Sequence, residues 1–492
     1  MSVIKIEDLT FAYPSSYDNV FENINLRIDT DWKLGLIGRN GRGKTTLLRL
    51  LTGKYEYGGK IEAAVTFDYF PYDVRGKDRP AENILREICP VAEEWQFIRE
   101  MTWLDIDPGN LYRPFVTLSN GEQTKILLAA LFLNEGHFLL IDEPTNHLDM
   151  HAREVLSAYL KKKKSFILVS HDRAFLDGCV DHILSVNRSD IELQKGNCSS
   201  YLTNFEYRQE LERRQDIALR RDIARLKETA RRTSDWADKT EASKYGKQDS
   251  GLKADKGFVG HKSAKLMKRA KAAEARKEKE IDRKSELLKN AETEEKLKLS
   301  PLKYRAERLA SFVSVSPCYG DRAVCAPVTF DIKRGDRIAL DGRNGSGKSS
   351  LLKLLCGCDI GHTGRMDKSS GLKISYVEQD TSHLTGTLSE LAESYDIDES
   401  LLKAVLHKMG FTSRQFEKDI SEFSDGQKKK ALLAKSLCEQ AHLYVWDEPL
   451  NYIDIYSRMA IESLIKEYGP TMIFVEHDKA FRDAVATKVI EI

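Results

Sequence analysis

With 492 residues, 41% of them hydrophobic and 31% charged, the chain is large enough for two or three domains of ordinary globular composition. No run approaches the roughly 18 consecutive apolar residues of a membrane helix, which excludes a chain that crosses a bilayer by helices. The formal net charge of +1 hides an asymmetry: residues 211–290 hold 24 Lys+Arg against 14 Asp+Glu, so the flanking regions are acidic. The eight cysteines are scattered without zinc-type spacing. Cys356 and Cys358 read as helix-end packing, and the cytoplasm is the compartment such thiols suit.

In chain order, MSVIKIEDLTF reads as a first strand, because it lacks the long apolar core of a signal peptide. Leu34–Ile37 reads as a buried strand and Thr46–Leu51 as the start of a helix. Between them lies Gly38-Arg39-Asn40-Gly41-Arg42-Gly43-Lys44-Thr45, which fits the phosphate-binding loop pattern in the context it requires. Glycines let backbone N–H groups curl around phosphates, and the following helix N-terminus adds positive potential. Lys44 is placed to reach the outer phosphates and Thr45 to hold Mg²⁺. Gly38, Asn40, Gly41, Gly43 and Thr46 complete this candidate nucleotide site. Phe138–Ile141 is an apolar strand ending in Asp142-Glu143. The first carboxylate suits Mg²⁺, and the second suits the general base that polarises an attacking water. An acidic pair at a strand end can also serve as a helix cap; its place after a phosphate loop favours the chemical reading.

Residues 197–245 and 261–300 contain no Gly or Pro, whereas Gly246, Gly251, Gly257 and Gly260 lie between them. This predicts helix, turn, helix, with arms of roughly 60 Å at about 1.5 Å per residue. The tip falls at about 246–260. Lys244, Lys247, Lys253, Lys256, Lys262 and Lys265 cluster around it, with Phe258 between Gly257 and Val259. Such a tip suits an RNA contact, with Phe258 stacking on a base. A solvated charged helix pair explains the charge equally well, and Phe258 alternatively staples the turn.

The second half repeats the first. Gly342 to Ser349 restates the phosphate loop, giving Gly342, Asn344, Gly345, Gly347, Lys348, Ser349 and Ser350 the matching roles. Leu443–Trp446 ends in Asp447-Glu448. Lys44 and Lys348 are 304 residues apart, Ser119 and Ser424 are 305 apart, as are Asp142 and Asp447, and His171 and His477 are 306 apart. Four motifs keeping the same offset to within a residue or so mark an internal duplication. The expected organisation is an α/β fold with nucleotide-binding domains at 1–200 and 305–492 and a helical linker at 201–304.

Leu118-Ser119-Asn120-Gly121-Glu122-Gln123 and Phe423-Ser424-Asp425-Gly426-Gln427-Lys428 resemble the signature motif of ABC ATPases. Asp142-Glu143-Pro144-Thr145-Asn146-His147-Leu148-Asp149 resembles the extended Walker B and D-loop of the ABC-F class, and His171 and His477 resemble its switch histidine. The resemblance implies two P-loop cassettes in a head-to-tail sandwich within one monomer. The Lys44 loop would face Ser424 and Gly426, and the Lys348 loop would face Ser119 and Gly121, so that ATP glues the halves and hydrolysis frees them. Tyr13 and Tyr319 resemble the aromatic that stacks on adenine, though a core aromatic at a strand end fits as well. Gln379 matches the glutamine the family places in the Mg²⁺ shell. The first half departs from this with Tyr69-Phe70-Pro71-Tyr72, leaving the place to Tyr72 and water. The second D-loop reads Asp447-Glu448-Pro449-Leu450-Asn451-Tyr452-Ile453-Asp454, so the two sites are expected to hydrolyse unequally.

Within ABC-F, DTDWKLGLIGRNGRGKTTLLRLL, KGFVGHKSAKLMKR and the Tyr-containing D-loop resemble Lsa-type antibiotic-resistance ribosome protection proteins. That resemblance implies a cytoplasmic ATP hydrolase of Gram-positive bacteria. It would bind the tRNA exit site of the 70S ribosome, with its linker tip towards the peptidyl-transferase centre and 23S rRNA and P-site tRNA as partners. Protection would extend to lincosamides, pleuromutilins and streptogramin A. A housekeeping ABC-F translation factor, the motor of a membrane transporter and a DNA-repair ATPase are the alternatives. The basic hairpin has no evident job in a transporter, and the zinc-type cysteine clusters of the repair class are absent.

Overall fold

The structure is a computed structural model and describes residues 2–14, 19–146, 148–187, 190–242, 299–320 and 322–492. The chain divides into two compact units, Met1–Tyr201 with Leu297–Ile492, and Leu202–Lys296.

In the first half the chain runs β1 (Val3–Phe11), β2 (Phe21–Asp29), β3 (Lys33–Gly38), α1 (Lys44–Leu51), β4 (Gly58–Glu62) and β5 (Thr66–Phe70). It continues with α2 (Ala81–Ile88), α3 (Glu94–Trp103), α4 (Asn120–Leu131), β6 (His137–Asp142), α5 (Met150–Lys162) and β7 (Phe166–Val169). α6 (Arg173–Cys179), β8 (His182–Val186) and β9 (Ile191–Lys195) close it. The main sheet has the order β5-β6-β7-β3-β8-β9, parallel throughout except for the antiparallel edge strand β9. Its central strands are near-continuous apolar runs, because a parallel sheet is covered on both faces. Phe138, Leu140, Ile167 and Val169 from those strands pack with Leu34, Leu36, Leu47 and Leu48 in one core. Each such side chain, fully withdrawn from water, contributes about 1.5–3 kcal/mol. A small antiparallel sheet, β2-β1-β4, adds Ile4, Ile6 and Ile28 to that core.

The helix α7 (Cys198–Ala242) follows, an uninterrupted run of 45 residues. It begins where the sequence predicted the first linker arm. The turn at 246–260, with Lys244, Lys247, Lys253, Lys256, Phe258, Lys262 and Lys265, lies outside the described residues, as does the second predicted arm up to residue 298. Leu299 is already buried in the core of the second half, and Leu302 N donates to Ala441 O at 2.9 Å. The chain thus joins that half ahead of the boundary read after residue 304, where Pro301 interrupts any continuing helix.

The second half repeats the plan. It holds β10 (Arg308–Tyr319), β11 (Arg322–Ala323), β12 (Val328–Lys333), β13 (Arg337–Asp341), α8 (Lys348–Cys356), β14 (Gly361–Lys368) and β15 (Ile374–Val377). After these come α9 (Leu388–Ser394), α10 (Glu399–Lys408), α11 (Asp425–Cys438), β16 (Leu443–Asp447), α12 (Ile455–Tyr468), β17 (Met472–Val475), α13 (Lys479–Val485) and β18 (Lys488–Glu491). Its parallel sheet runs β15-β16-β17-β13-β18. The equivalence is strand for strand: the order β15-β16-β17-β13-β18 matches β5-β6-β7-β3-β8. Pairing of Phe70 with Ile141 and of Val377 with Trp446 makes Tyr69 the counterpart of Tyr376, and Tyr72 the counterpart of Gln379.

Candidate nucleotide sites

Each phosphate loop links the C-terminal end of a central strand to a helix N-terminus, the place where open α/β sheets collect ligands. At Gly38 the backbone has φ +153°, and a Cβ there would lie 2.7 Å from the Val186 carbonyl oxygen, so only glycine fits. Lys44 opens α1 and folds back over the loop, its Nζ donating to Gly38 O at 2.8 Å and Arg39 O at 3.2 Å. Burial pulls this ammonium below the ordinary lysine range, against the opposing fields of Asp454, Glu143 and Asp142. Thr45 Oγ1 donates to Asp142 Oδ2 at 2.8 Å, and the Tyr69 hydroxyl donates to the same oxygen at 3.0 Å. Glu143 stands next, with φ +50°, a strained value for a non-glycine residue. Its Oε1 is 3.4 Å from His171 Nε2. Burial first, and then the Asp142 charge, push the Glu143 carboxyl up to about 8. Burial, with Lys44 and Arg458 adding repulsion, holds the His171 ring well below the usual histidine value.

The second site repeats the loop geometry with different surroundings. Lys348 Nζ donates to Gly342 O at 2.7 Å and Arg343 O at 2.8 Å, and Ser349 Oγ donates to Asp447 Oδ1 at 3.1 Å. The Tyr376 hydroxyl and Asp447 Oδ2 are both buried, and neither makes a hydrogen bond to protein. Glu448 again has φ +50°, and its Oε1 is 3.4 Å from His477 Nε2. Its Oε2 accepts from Asn451 Nδ2 at 2.8 Å. Burial favours the neutral form of Glu448, but His477 and Asn451 outweigh it and hold the carboxyl down to about 2. Two substitutions between the halves flank this carboxylate. Glu476 stands where the first half has Ser170, and its Oε1 accepts from Leu450 N at 2.7 Å. Lys429 stands where the first half has Thr124 and is buried. Gln379 is exposed, as is Tyr72, its counterpart in the first half.

The two halves meet across these sites. Asn40 Nδ2 donates to Tyr452 O at 2.7 Å, and Asn344 N donates to Asp149 Oδ2 at 3.3 Å. Each phosphate loop therefore touches the D-loop of the opposite half. A Cβ on Gly426 would sit 3.0 Å from Tyr452 Cβ, which keeps the second signature close against its own D-loop. Arg173 and Glu462 form a 2.6 Å ion pair between the halves, and Lys479 and Glu154 form a second at 3.0 Å. Ser119 and Ser424 are the N-caps of α4 and α11 and close capping boxes with Glu122 and Gln427. Gly121 and Gly426 lie in the first turns of those helices, whose uncapped N–H groups make an anion-facing end.

Tyr13 is half-buried, packs edge-on against Phe11 and Tyr55, and its hydroxyl lies 2.7 Å from Thr46 Oγ1. Tyr319 is 57% exposed, with its hydroxyl 3.2 Å from Ser350 Oγ, so only this one presents a free ring face. His147 lies outside the described residues. Sequence reasoning missed Tyr69, Lys429, Glu476 and the arginines behind the D-loops. Arg153 donates to Leu148 O and Asp172, and Arg458 donates to Ile453 O, Leu450 O and Asp478.

The residues present fit a magnesium nucleotide. Two hydroxyl–carboxylate pairs, Thr45 with Asp142 and Ser349 with Asp447, supply the hard oxygen donors Mg²⁺ takes. Glu143 Oε1 and Asp447 Oδ2 are buried without a hydrogen-bond donor from the protein. No helix among the described residues is long and apolar enough to cross a membrane.

The sequence profile described as ABC transporter matches residues 21–146 and again 325–451. The chain belongs to the ABC transporter family. Its two ABC cassettes are ATP-binding domains, and the chain is an ATP hydrolase. It is 26% identical to the uncharacterized ABC transporter ATP-binding protein YfmM of Bacillus subtilis (strain 168), over 99% of this chain and 98% of that protein. It is also 26% identical to the ribosome protection protein VmlR of the same organism, over 96% of this chain and 83% of VmlR. In fold the cassettes are similar to a chain in the crystal structure of the complex of archaeal ribosomal stalk protein aP1 and archaeal ribosome recycling factor aABCE1. The TM-score is 0.65 at 19% identity, covering 98% of this chain and 87% of that one.

Proposed function

We propose that this ATPase is a ribosome protection protein: an intramolecular ATP clamp that binds the tRNA exit site of the bacterial 70S ribosome and relieves lincosamide, pleuromutilin and streptogramin A inhibition. The observation that carries the clamp is the crossed contact of each phosphate loop with the opposite D-loop, Asn40 with Tyr452 and Asn344 with Asp149. Similarity along nearly the whole chain to VmlR supports the ribosomal reading, as do the Lsa-type sequence features.

In this reading Lys44 and Lys348 leave their loop carbonyls to meet the outer phosphates, while the loop N–H groups from Gly38 and Gly342 onward cradle them. Ser119 with Gly121, and Ser424 with Gly426, complete the γ-phosphate cage from the opposite cassette. Thr45 with Asp142, and Ser349 with Gln379 and Asp447, would hold Mg²⁺, which would supply charge neutralisation at the phosphates. As the attacking water's oxygen bonds to the γ-phosphorus and the bond from that phosphorus to the ADP oxygen breaks, Glu448 takes the water's proton, and Glu143 does the same in its deprotonated form. His171 and His477 orient those carboxylates. Tyr319, with its free ring face, flanks the base in its site, whereas Tyr13 stays packed on Phe11 and Tyr55 and meets the loop helix at Thr46. Loss of the γ-phosphate removes the shared ligand and lets the halves part.

The segment between the cassettes, with its tip proposed at about 246–260, is the ribosome-facing element. Lys244, Lys247, Lys253, Lys256, Lys262 and Lys265 engage rRNA and tRNA phosphates there, with Phe258 at a base. The chain works as a cytoplasmic monomer. Expression in a drug-sensitive Gram-positive host tests the proposal: lincosamide and pleuromutilin resistance should rise, and E143Q/E448Q protein should be trapped on 70S particles. Unchanged susceptibility with the protein present and ribosome-bound moves the reading to a housekeeping translation factor. Absence from ribosomes refutes both.

A further inference from the structure

Lys429 sits in a run of three lysines near the start of α11, a place where charged residues ordinarily face water, yet it is only 4% exposed. Its Nζ donates to Glu378 O at 2.8 Å and Asp447 O at 3.0 Å, with Gln379 O at 3.5 Å. An ammonium has three N–H groups, and here all are directed at carbonyls. Two of those carbonyls belong to the turn leaving β15, and the third ends β16. The cation therefore ties together two adjacent strand ends, the ones that deliver Gln379 and Asp447. Taking a lysine out of water is costly unless carboxylates repay it. Asp447, Glu448 and Glu476 supply that field.

The first cassette keeps the Asp142–Glu143 pair but lacks the lysine, the glutamine and the third carboxylate. Its counterparts are Thr124 for Lys429, Tyr72 for Gln379 and Ser170 for Glu476. A threonine hydroxyl, one donor on a short stem, cannot bridge two strand ends.

We propose that Lys429 is a positioning residue of the second nucleotide site, locking the Glu378–Gln379 turn against the Asp447 strand end. The second site thereby accepts Mg²⁺-nucleotide with less reordering than the first. The inference rests on Gln379 and Asp447 forming the Mg²⁺ shell of that site.

The test is a titration of full-length protein with fluorescent mant-ATP, with and without Mg²⁺, in a Lys44→Ala background that silences the first site. Lys429→Met should weaken Mg²⁺-mant-ATP binding roughly tenfold, the scale of a lost hydrogen bond to a charged group. Mg²⁺-free binding should change less than about twofold, and Lys429→Arg should restore the difference. Gln379 is exposed, so Gln379→Ala should fold; combined with Lys429→Met its loss should not add, because both act through one turn. Should the Met variant not fold, Lys429→Gln, which loses the charge and carries its donors on a stem one atom shorter, should show a smaller loss that still depends on Mg²⁺. Equal losses with and without Mg²⁺, an unchanged Mg²⁺ effect, or additive losses overturn the proposal. If Lys348→Ala leaves mant-ATP binding intact, the nucleotide-site reading itself fails, a distinct result.

Discussion

Replacing Arg458 by methionine should lower the thermal stability of the second cassette steeply. The guanidinium donates to Asp478 Oδ2 at 2.8 Å, Ile453 O at 2.9 Å and Leu450 O at 2.9 Å. Asp478 is fully buried, so Arg458→Met strands a carboxylate rather than exposing one. Removing one partner of such a pair costs about 3–5 kcal/mol. For a cassette of this size each kcal/mol moves the midpoint by about 2–4 °C, giving a drop of about 6–20 °C by scanning calorimetry. Asp478→Asn in the same protein should recover a large part of the loss, because it removes the stranded charge. Asp478 is held below the ordinary aspartate range despite its burial, chiefly by Arg458, so the pair stabilises the fold at neutral pH. That contribution is present above the unfolded aspartate value of about 3.9 and fades as pH falls through the folded one. The reasoning is refuted by a drop of under about 2 °C, or by a double variant no more stable than Arg458→Met alone.

Tyr69→Phe removes a hydrogen bond to Asp142 and should cost about 1.5 kcal/mol in nucleotide-free protein by denaturant unfolding. Tyr376→Phe deletes a buried hydroxyl that bonds to no protein group, and should be neutral or stabilising. Glu143 titrates at about 8 when folded against an ordinary 4.5, so its contribution is lost as pH rises between those values. E143Q should therefore gain in melting temperature over the parent from pH 5 to pH 8 and then level off. Glu448, held at about 2, contributes above the ordinary 4.5 and loses that contribution as pH falls. E448Q should accordingly be less stable than the parent at pH 7, with the gap closing in acid. Coupling between Arg173 and Glu462, whose side chains are about 15% exposed, should reach about 1.5 kcal/mol in a double-mutant cycle. The exposed Lys479–Glu154 pair should give under about 1 kcal/mol.

The duplication, the phosphate loops and the acidic strand ends were legible because each is a contiguous run whose chemistry depends on spacing. Asp142 beside Thr45, and Asp447 beside Ser349, follow from two motifs meeting at the end of one sheet. Tyr69 was visible as a residue but not as a ligand of Asp142, since its role comes from the pairing of β5 with β6. Lys429 was hidden by its lysine neighbours, which make the start of the helix look solvated. Glu476 left a signal in the EHD triplet that replaces SHD, yet nothing in the sequence directs its carboxylate to Leu450 N. The arginines behind the D-loops had no local motif at all: Arg153 and Arg458 act on segments brought to them by tertiary packing.

The crossed D-loop contacts have a bearing on dose. Because both partners of every such contact are carried by one polypeptide, closing is a unimolecular event whose equilibrium does not change with dilution. A cell holding a few copies and a cell holding thousands keep the same fraction closed at a given ATP level. In the proposed clamp the energy charge of the cell, rather than the abundance of the protein, sets what fraction of the molecules is ready to engage.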